Sequence, residues 1–241
     1  MPSRSTRPPP RGAGGGAGGA MTRRPAPRFP AKLRRAVWAA NRGIHRAGLV
    51  TMHSGNASGI DRESGLVAIK PSGMDYESLK PEDLVIVDLE GRRVTGRWKP
   101  SVDLPHHLYL YRHCPDLGGI IHTHSNYATA FALLGRPLPA YLTAMADEFG
   151  AEIPCAPYVD NRGDAIGQAI VAARGKCPAV LLAQHGAFAF GATPTAALKA
   201  AVMLEDVAKT CHLALALGQP QPLARVEVQK WWERYHTAYG Q

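Results

Sequence analysis

Apolar residues first fall on a helical period at Leu33, Val37, Ala40 and Ile44, which predicts a helix over 31–47 stopped by Gly48. Short apolar runs at 66–70 and 83–89 read as strands, the second closed by the turn Glu90-Gly91. The period is helical again over 104–114, with Ser101 or Asp103 as N-cap and Pro105 in the first turn. A strand is predicted at 118–122, then helices at 126–134 and 162–174. Runs at 180–183 and 187–190 flank Gln184-His185-Gly186 and read as two further strands. A long helix opens at Thr193-Pro194 and ends at Gly218, and a last helix covers 223–235. Strands and helices alternate through short links without an internal repeat. The pattern therefore predicts an α/β fold, a mixed sheet flanked by helices.

Residues 1–29 break the pattern. They are rich in Pro, Gly and Arg, show no apolar period, and are expected to be a disordered basic tail ahead of one domain over 30–241. A chain that starts at Met21 is the plain alternative. The net charge of +9 belongs to this end. Arg4, Arg7, Arg11, Arg23, Arg24, Arg28, Lys32, Arg34 and Arg35 precede every acidic residue, and the rest of the chain holds as many acids as bases. The basic pI thus gives no reason to expect nucleic acid as a partner. The tail has neither the Ser-rich amphipathic pattern of a transit peptide nor the apolar core of a secretory signal. No apolar stretch is long enough to span a bilayer, so no membrane partner is expected. Cys114, Cys155, Cys177 and Cys211 are widely spaced and form no Cys-X-X-Cys, which points to a reducing, cytoplasmic setting without a disulfide framework.

His122-Thr123-His124 ends the predicted strand at 118–122. Residues two apart on a strand share a face, so the two imidazoles form a ready pair of metal ligands. Asp103 upstream and His185 downstream, in a similar strand-then-turn setting, extend the pair to a candidate four-ligand site. Three imidazoles and a carboxylate suit Zn²⁺, and Mn²⁺ or Co²⁺ also fit. Taken singly, Asp103 is equally a helix cap and His185 equally a core histidine. Lys70-Pro71-Ser72-Gly73 is a candidate anion site, a lysine beside a turn whose N–H groups form a nest, although an ordinary Pro-Ser-Gly turn has the same composition. Ser54-Gly55-Asn56 reads as another small polar turn, with Asn56 a donor or a cap. Asp147, in Asp147-Glu148 after an apolar stretch, is a candidate general acid/base or else a cap or surface residue. Tyr239 is a candidate proton donor or a frayed end. His45, His53, His106, His107, His113, His212 and His236 show no partnering pattern and read as structural or surface residues.

In this order the motifs resemble the class II aldolase and adducin family, and within it the L-ribulose-5-phosphate 4-epimerases. The resemblance runs from about Ala31 to the last residue. It rests on Leu49-Val50-Thr51-Met52-His53-Ser54-Gly55-Asn56, Ile69-Lys70-Pro71-Ser72-Gly73, Lys99-Pro100-Ser101-Val102-Asp103, Gly118-Gly119-Ile120-Ile121-His122-Thr123-His124-Ser125, His185-Gly186 and Tyr239-Gly240-Gln241. It implies a class II aldolase-like fold with a mostly antiparallel central sheet. It implies zinc on Asp103, His122, His124 and His185, and a phosphate site from Asn56, Lys70, Ser72, Gly73 and Ser101. A phosphorylated ketose as substrate and a homotetramer with active sites between subunits are implied as well.

Two chemistries compete within the family. The resemblance implies Glu at position 103 for the sugar-phosphate aldolases and Asp for the epimerases, which also place an acid/base Asp at 147 and a catalytic Tyr at the C-terminus, contributed by a neighbouring subunit. Asp103, Asp147 and Tyr239 match the epimerase. The aldolase is the first alternative, and a non-catalytic, adducin-like assembly protein the second; such members lose the metal ligands that this chain keeps. The chain departs from the epimerase pattern at Val102, where a second Ser is expected, and at Met145, where a His is expected. The segments 153–180 and before Tyr239 are also shorter than in the epimerases, the first of them being more aldolase-like.

Overall fold

The structure, a computed structural model, describes residues 29–238. The predicted tail over 1–28, and Tyr239, lie outside the described residues; Phe29, placed with the tail, is buried beside Val37. Helix α1 (Ala31–Arg46) forms where the period put it and buries Val37, Ala40 and Ile44. Strands β1 (Asn56–Asp61), β2 (Leu66–Ile69), β3 (Val85–Val87) and β4 (Arg93–Thr95) follow. Then come α2 (Leu104–His113), β5 (Gly119–Thr123), α3 (Asn126–Leu133), α4 (Thr143–Phe149), β6 (Cys155–Ala156) and α5 (Ala165–Arg174). The chain continues through β7 (Ala179–Leu182), β8 (Gly186–Gly191), α6 (Pro194–Leu217) and α7 (Arg225–Thr237). The strands make one sheet in the order β4-β3-β2-β1-β5-β8-β7-β6. Only the short β6–β7 pair is parallel, so the sheet is mostly antiparallel.

Alternation along the strands sorts large from small side chains. Ile60, Val67, Ile69, Ile120, Phe188 and Phe190 face α2 and α5 in one core layer. Ala57, Ile121 and Ala189 face α1 and the alanine-rich side of α6, Ala197, Ala200 and Ala201. Small groups on both sides let α6 lie close to the sheet. Close approach is extreme across the register row Gly59–Gly119–Gly191. A Cβ on Gly119 would stand 2.5 Å from backbone atoms of Pro194, at the first turn of α6. Gly119→Ala is therefore expected to cost about 1–3 kcal/mol of stability, read by thermal unfolding.

Several elements escaped the sequence pattern. Asn56 does not sit in a turn but opens β1, a central strand whose Asn-Ala-Ser-Gly composition reads as turn-forming. Its residues are small because helices press on one face, and polar because Asn56 and Ser58 serve the other. Edge strand β4, two-residue β6 and seven-residue α4 are too short to carry a period.

Candidate metal centre and anion pocket

β5 is hydrogen-bonded between β1 and β8, and its register sets Asn56, His122 and Phe188 side by side. His122 is buried, its ring stacked on Phe188 at 4.5 Å between centroids. His122 Nδ1 donates to the Ala187 carbonyl at 3.0 Å. A carbonyl only accepts, so the proton is fixed on Nδ1 and the Nε2 lone pair is left for a ligand. His124, just past the strand, brings its Nε2 to 3.0 Å from the His122 Nε2. The three-residue link between β7 and β8 supplies His185. Gln184 takes φ +58° there, and His185 N–H donates to Leu182 O at 3.0 Å. The link thereby turns the imidazole back toward β5. Ligand nitrogens of His122, His124 and His185 all lie within 4.8 Å of one another. Burial lowers the affinity of all three imidazoles for a proton, against the pull of Asp103, and brings His122 to about 4. Neutral imidazoles converging on one point are the donor set a divalent metal takes.

Asp103 stands at the N-cap position of α2, as the sequence suggested, but its side chain caps nothing. Its carboxylate accepts from Asn56 Nδ2 at 2.6 Å and from the Ser101 hydroxyl at 3.4 Å. Asp103 lines the same cavity as the three histidines but stands outside their compact group. Burial works against its ionisation, yet the imidazoles of His122 and His107 and the Asn56 bond hold it below the usual carboxylate range. Behind it, buried His107 meets Ser58 Oγ at 2.7 Å, and Ser58 meets the Tyr111 hydroxyl at 2.8 Å, fixing α2 on the sheet. Burial takes His107 down to about 3, so it serves as a neutral strut.

The cavity, about 210 Å³, joins the histidines to the segment Lys70-Pro71-Ser72-Gly73 and to Ser101, Val102 and Asp103. Lys70 is buried with its ammonium 4.5 Å over the Tyr76 ring, and the Tyr76 hydroxyl holds the carbonyls of Ser54 and Gly55 at 2.8 and 2.7 Å. Burial lowers the Lys70 ammonium to about 8, with Asp75 opposing. The nest expected over 70–73 is only partly open. Ser72 N–H donates to Lys99 O at 3.0 Å and Ser101 N–H to Lys70 O at 2.9 Å, zipping the two segments together. Lys70, Ser72 and Gly73 line the cavity, the Lys70 ammonium donating to Pro71 O at 3.4 Å. Asn56 is not on the cavity wall. It is buried behind it, donating to Ser101 Oγ (3.1 Å) as well as to Asp103, so here it orients two wall residues. Val102, exposed on the wall, offers an apolar group in place of a hydroxyl.

Asp147 lies half-buried on α4 and is not among the residues lining the cavity. α4 is tied to α6 and α7: Glu148 Oε2 lies 2.6 Å from Lys199 Nζ, which donates to the Tyr235 hydroxyl at 2.8 Å. Tyr239 follows the end of α7 by two residues, outside the described part. The cavity wall also includes His53, which was read as structural or surface, and Asn161, which no pattern in the sequence singles out. His106, read as structural or surface, is buried and bonds Asn161.

Known proteins share this fold and part of this sequence. The family model described as Class II Aldolase and Adducin N-terminal domain matches residues 35–212. The L-ribulose-5-phosphate 4-epimerase UlaF of Salmonella paratyphi B is 40% identical over 225 residues, covering 87% of this chain and 99% of its own. Among solved structures, an L-fuculose 1-phosphate aldolase superposes with TM-score 0.78 at 30% identity, over 86% of this chain and 98% of its own. The l-fuculose-1-phosphate aldolase of Thermus Thermophilus gives TM-score 0.65 at 27% identity, over 79% and 99%. With its sheet and most of its length matched in this way, the chain belongs to the class II aldolase and adducin family.

Proposed function

We propose that the chain is a metal-dependent epimerase that interconverts L-ribulose 5-phosphate and D-xylulose 5-phosphate by breaking and remaking the C3–C4 bond. The observation that carries it is one cavity holding three converging imidazoles and a buried lysine, in a chain 40% identical over most of its length to an L-ribulose-5-phosphate 4-epimerase.

His122, His124 and His185, with Asp103 beside them, would hold the ion, and zinc is the metal this nitrogen-rich set favours. When bound, the ion supplies Lewis acidity to the oxygens at C2 and C3 of the ketose. Lys70, Ser72 and Gly73 hold the phosphate, so the C4–C5 fragment stays in place once the C3–C4 bond opens. The electron pair of that bond passes to C3 and is delocalised as the enediolate of the C1–C3 fragment. The aldehyde at C4 turns its other face, the pair returns, and C4 is inverted. Asp147 and Tyr239 take and return the proton of the C4 hydroxyl, one for each epimer. Since Asp147 does not line its own chain's cavity, we place both groups in a site shared between copies of a homotetramer. Four unpaired cysteines fit a reducing, cytoplasmic setting.

The Lys70 cation is present below about pH 8 and lost above it. The KM for the phosphorylated ketose is therefore expected to rise as pH passes through about 8. Lys70→Met should lose that limb and raise KM by about 10- to 100-fold below about pH 8, the difference from the parent narrowing above it. A second reading, an aldolase that releases both fragments, is favoured by the superposition on L-fuculose 1-phosphate aldolase at TM-score 0.78. Product analysis separates the two.

A further inference from the structure

The loop between β6 and α5 sends Asn161 into the wall of the metal cavity, on a different part of the chain from the phosphate segment. Its amide oxygen lies 2.7 Å from His106 Nε2. An amide oxygen only accepts, so His106 Nε2 carries the proton and donates. The Asn161 amide is thereby oriented, and its two N–H donors stay uncommitted by that bond in a residue that lines the cavity. His106 is 1% exposed, and its Nδ1 is buried without a partner. An apolar side chain at 106 would fill α2 without stranding a polar atom, so the histidine costs stability at a buried position. Its one hydrogen bond goes to a cavity residue 55 positions away.

We propose that Asn161 is a specificity-determining residue that donates to a hydroxyl of the non-phosphorylated part of the substrate, and that His106 is a positioning residue acting through it. This rests on the sugar-phosphate reading of the cavity. A site that hydrogen-bonds a substrate hydroxyl rejects analogues that lack it, because its own donors are then left unpaired. The pair would place such a donor in the segment where the sequence departs from the epimerase pattern.

The test uses the metal-loaded full-length protein, with Asn161→Leu, His106→Leu, His106→Gln and the double Leu variant. Two ligands are measured by calorimetry, inorganic phosphate and a pentitol 5-phosphate, which has the hydroxyls but cannot react. KM and kcat for L-ribulose 5-phosphate are measured in parallel. Asn161→Leu is expected to weaken the pentitol phosphate and raise KM by about tenfold, with phosphate affinity and metal content within twofold of the parent. His106→Leu should move the same quantities in the same direction and add nothing in the Asn161→Leu background. His106→Gln, which keeps a donor, should restore most of the loss. An Asn161→Leu variant that keeps pentitol phosphate affinity overturns the proposal. So does a parent protein that binds the pentitol phosphate no better than inorganic phosphate, or a His106→Leu effect that persists without Asn161. Absence of turnover in the parent would instead overturn the epimerase reading, and the binding arm would still decide the role of Asn161.

Discussion

His122→Gln is expected to remove stoichiometric metal and to lower kcat by about 10³-fold or more. His122 is the most constrained of the three imidazoles. It is buried, stacked on Phe188, and oriented by its Nδ1 bond to Ala187 O. Glutamine offers only an amide, a poorer donor to a metal than imidazole nitrogen, and loses the stack. Lewis-acid stabilisation of the developing charge is worth several kcal/mol, and each ~1.4 kcal/mol is a factor of ten in rate. Metal content by mass spectrometry and turnover by coupled assay read the two effects. Thermal unfolding in the presence of chelator separates loss of metal from loss of fold. A variant that keeps both metal and rate would show that the cluster is structural.

Asp147→Asn is expected to leave metal content unchanged and to lower turnover by about 10²- to 10⁴-fold, the usual cost of removing an acid/base group. The geometry makes this the more searching case. Asp147 rides on α4, which α6 and α7 clamp through Lys199, and the wall of its own cavity does not include it. In sequence Tyr239 comes two residues after α7, while Asp147 is on α4 and the three clustered histidines lie elsewhere. If sites are shared between copies, mixed assemblies of His122→Gln and Tyr239→Phe subunits regain activity that neither parent has. Wild-type turnover in Asp147→Asn would remove that residue from the mechanism.

The histidine cluster was legible in sequence because its logic is partly local. His122 ends a strand with His124 two residues on, and His185 sits in a tight link between two apolar runs, so the apolar pattern puts each near a strand end and the family resemblance groups them. α2 and α6 were legible for the same reason, with Pro near each start. Asp103 was placed correctly at a helix start, but only the fold shows that its side chain turns away from the helix to Asn56. β1 was hidden because packing demanded residues that mimic a turn: Gly59 lies against Val37 and Pro194, while Ser58 reaches His107 and Tyr111. His53, His106 and Asn161 were illegible because their role depends on contacts between distant segments. The anion segment was half legible. Its residues were recognisable, but the pairing of Ser72 with Lys99, which uses up one expected donor, is a tertiary fact.

The most direct measurement is ¹H NMR of L-ribulose 5-phosphate in D₂O with the zinc-loaded protein. Opening and closing the C3–C4 bond breaks no C–H bond. The expected result is D-xylulose 5-phosphate with protium retained at C3 and C4 and no accumulation of free fragments. Deuterium at C4 would contradict carbon–carbon cleavage. Accumulation of dihydroxyacetone and glycolaldehyde phosphate as end products would contradict the epimerase and establish the aldolase in its place.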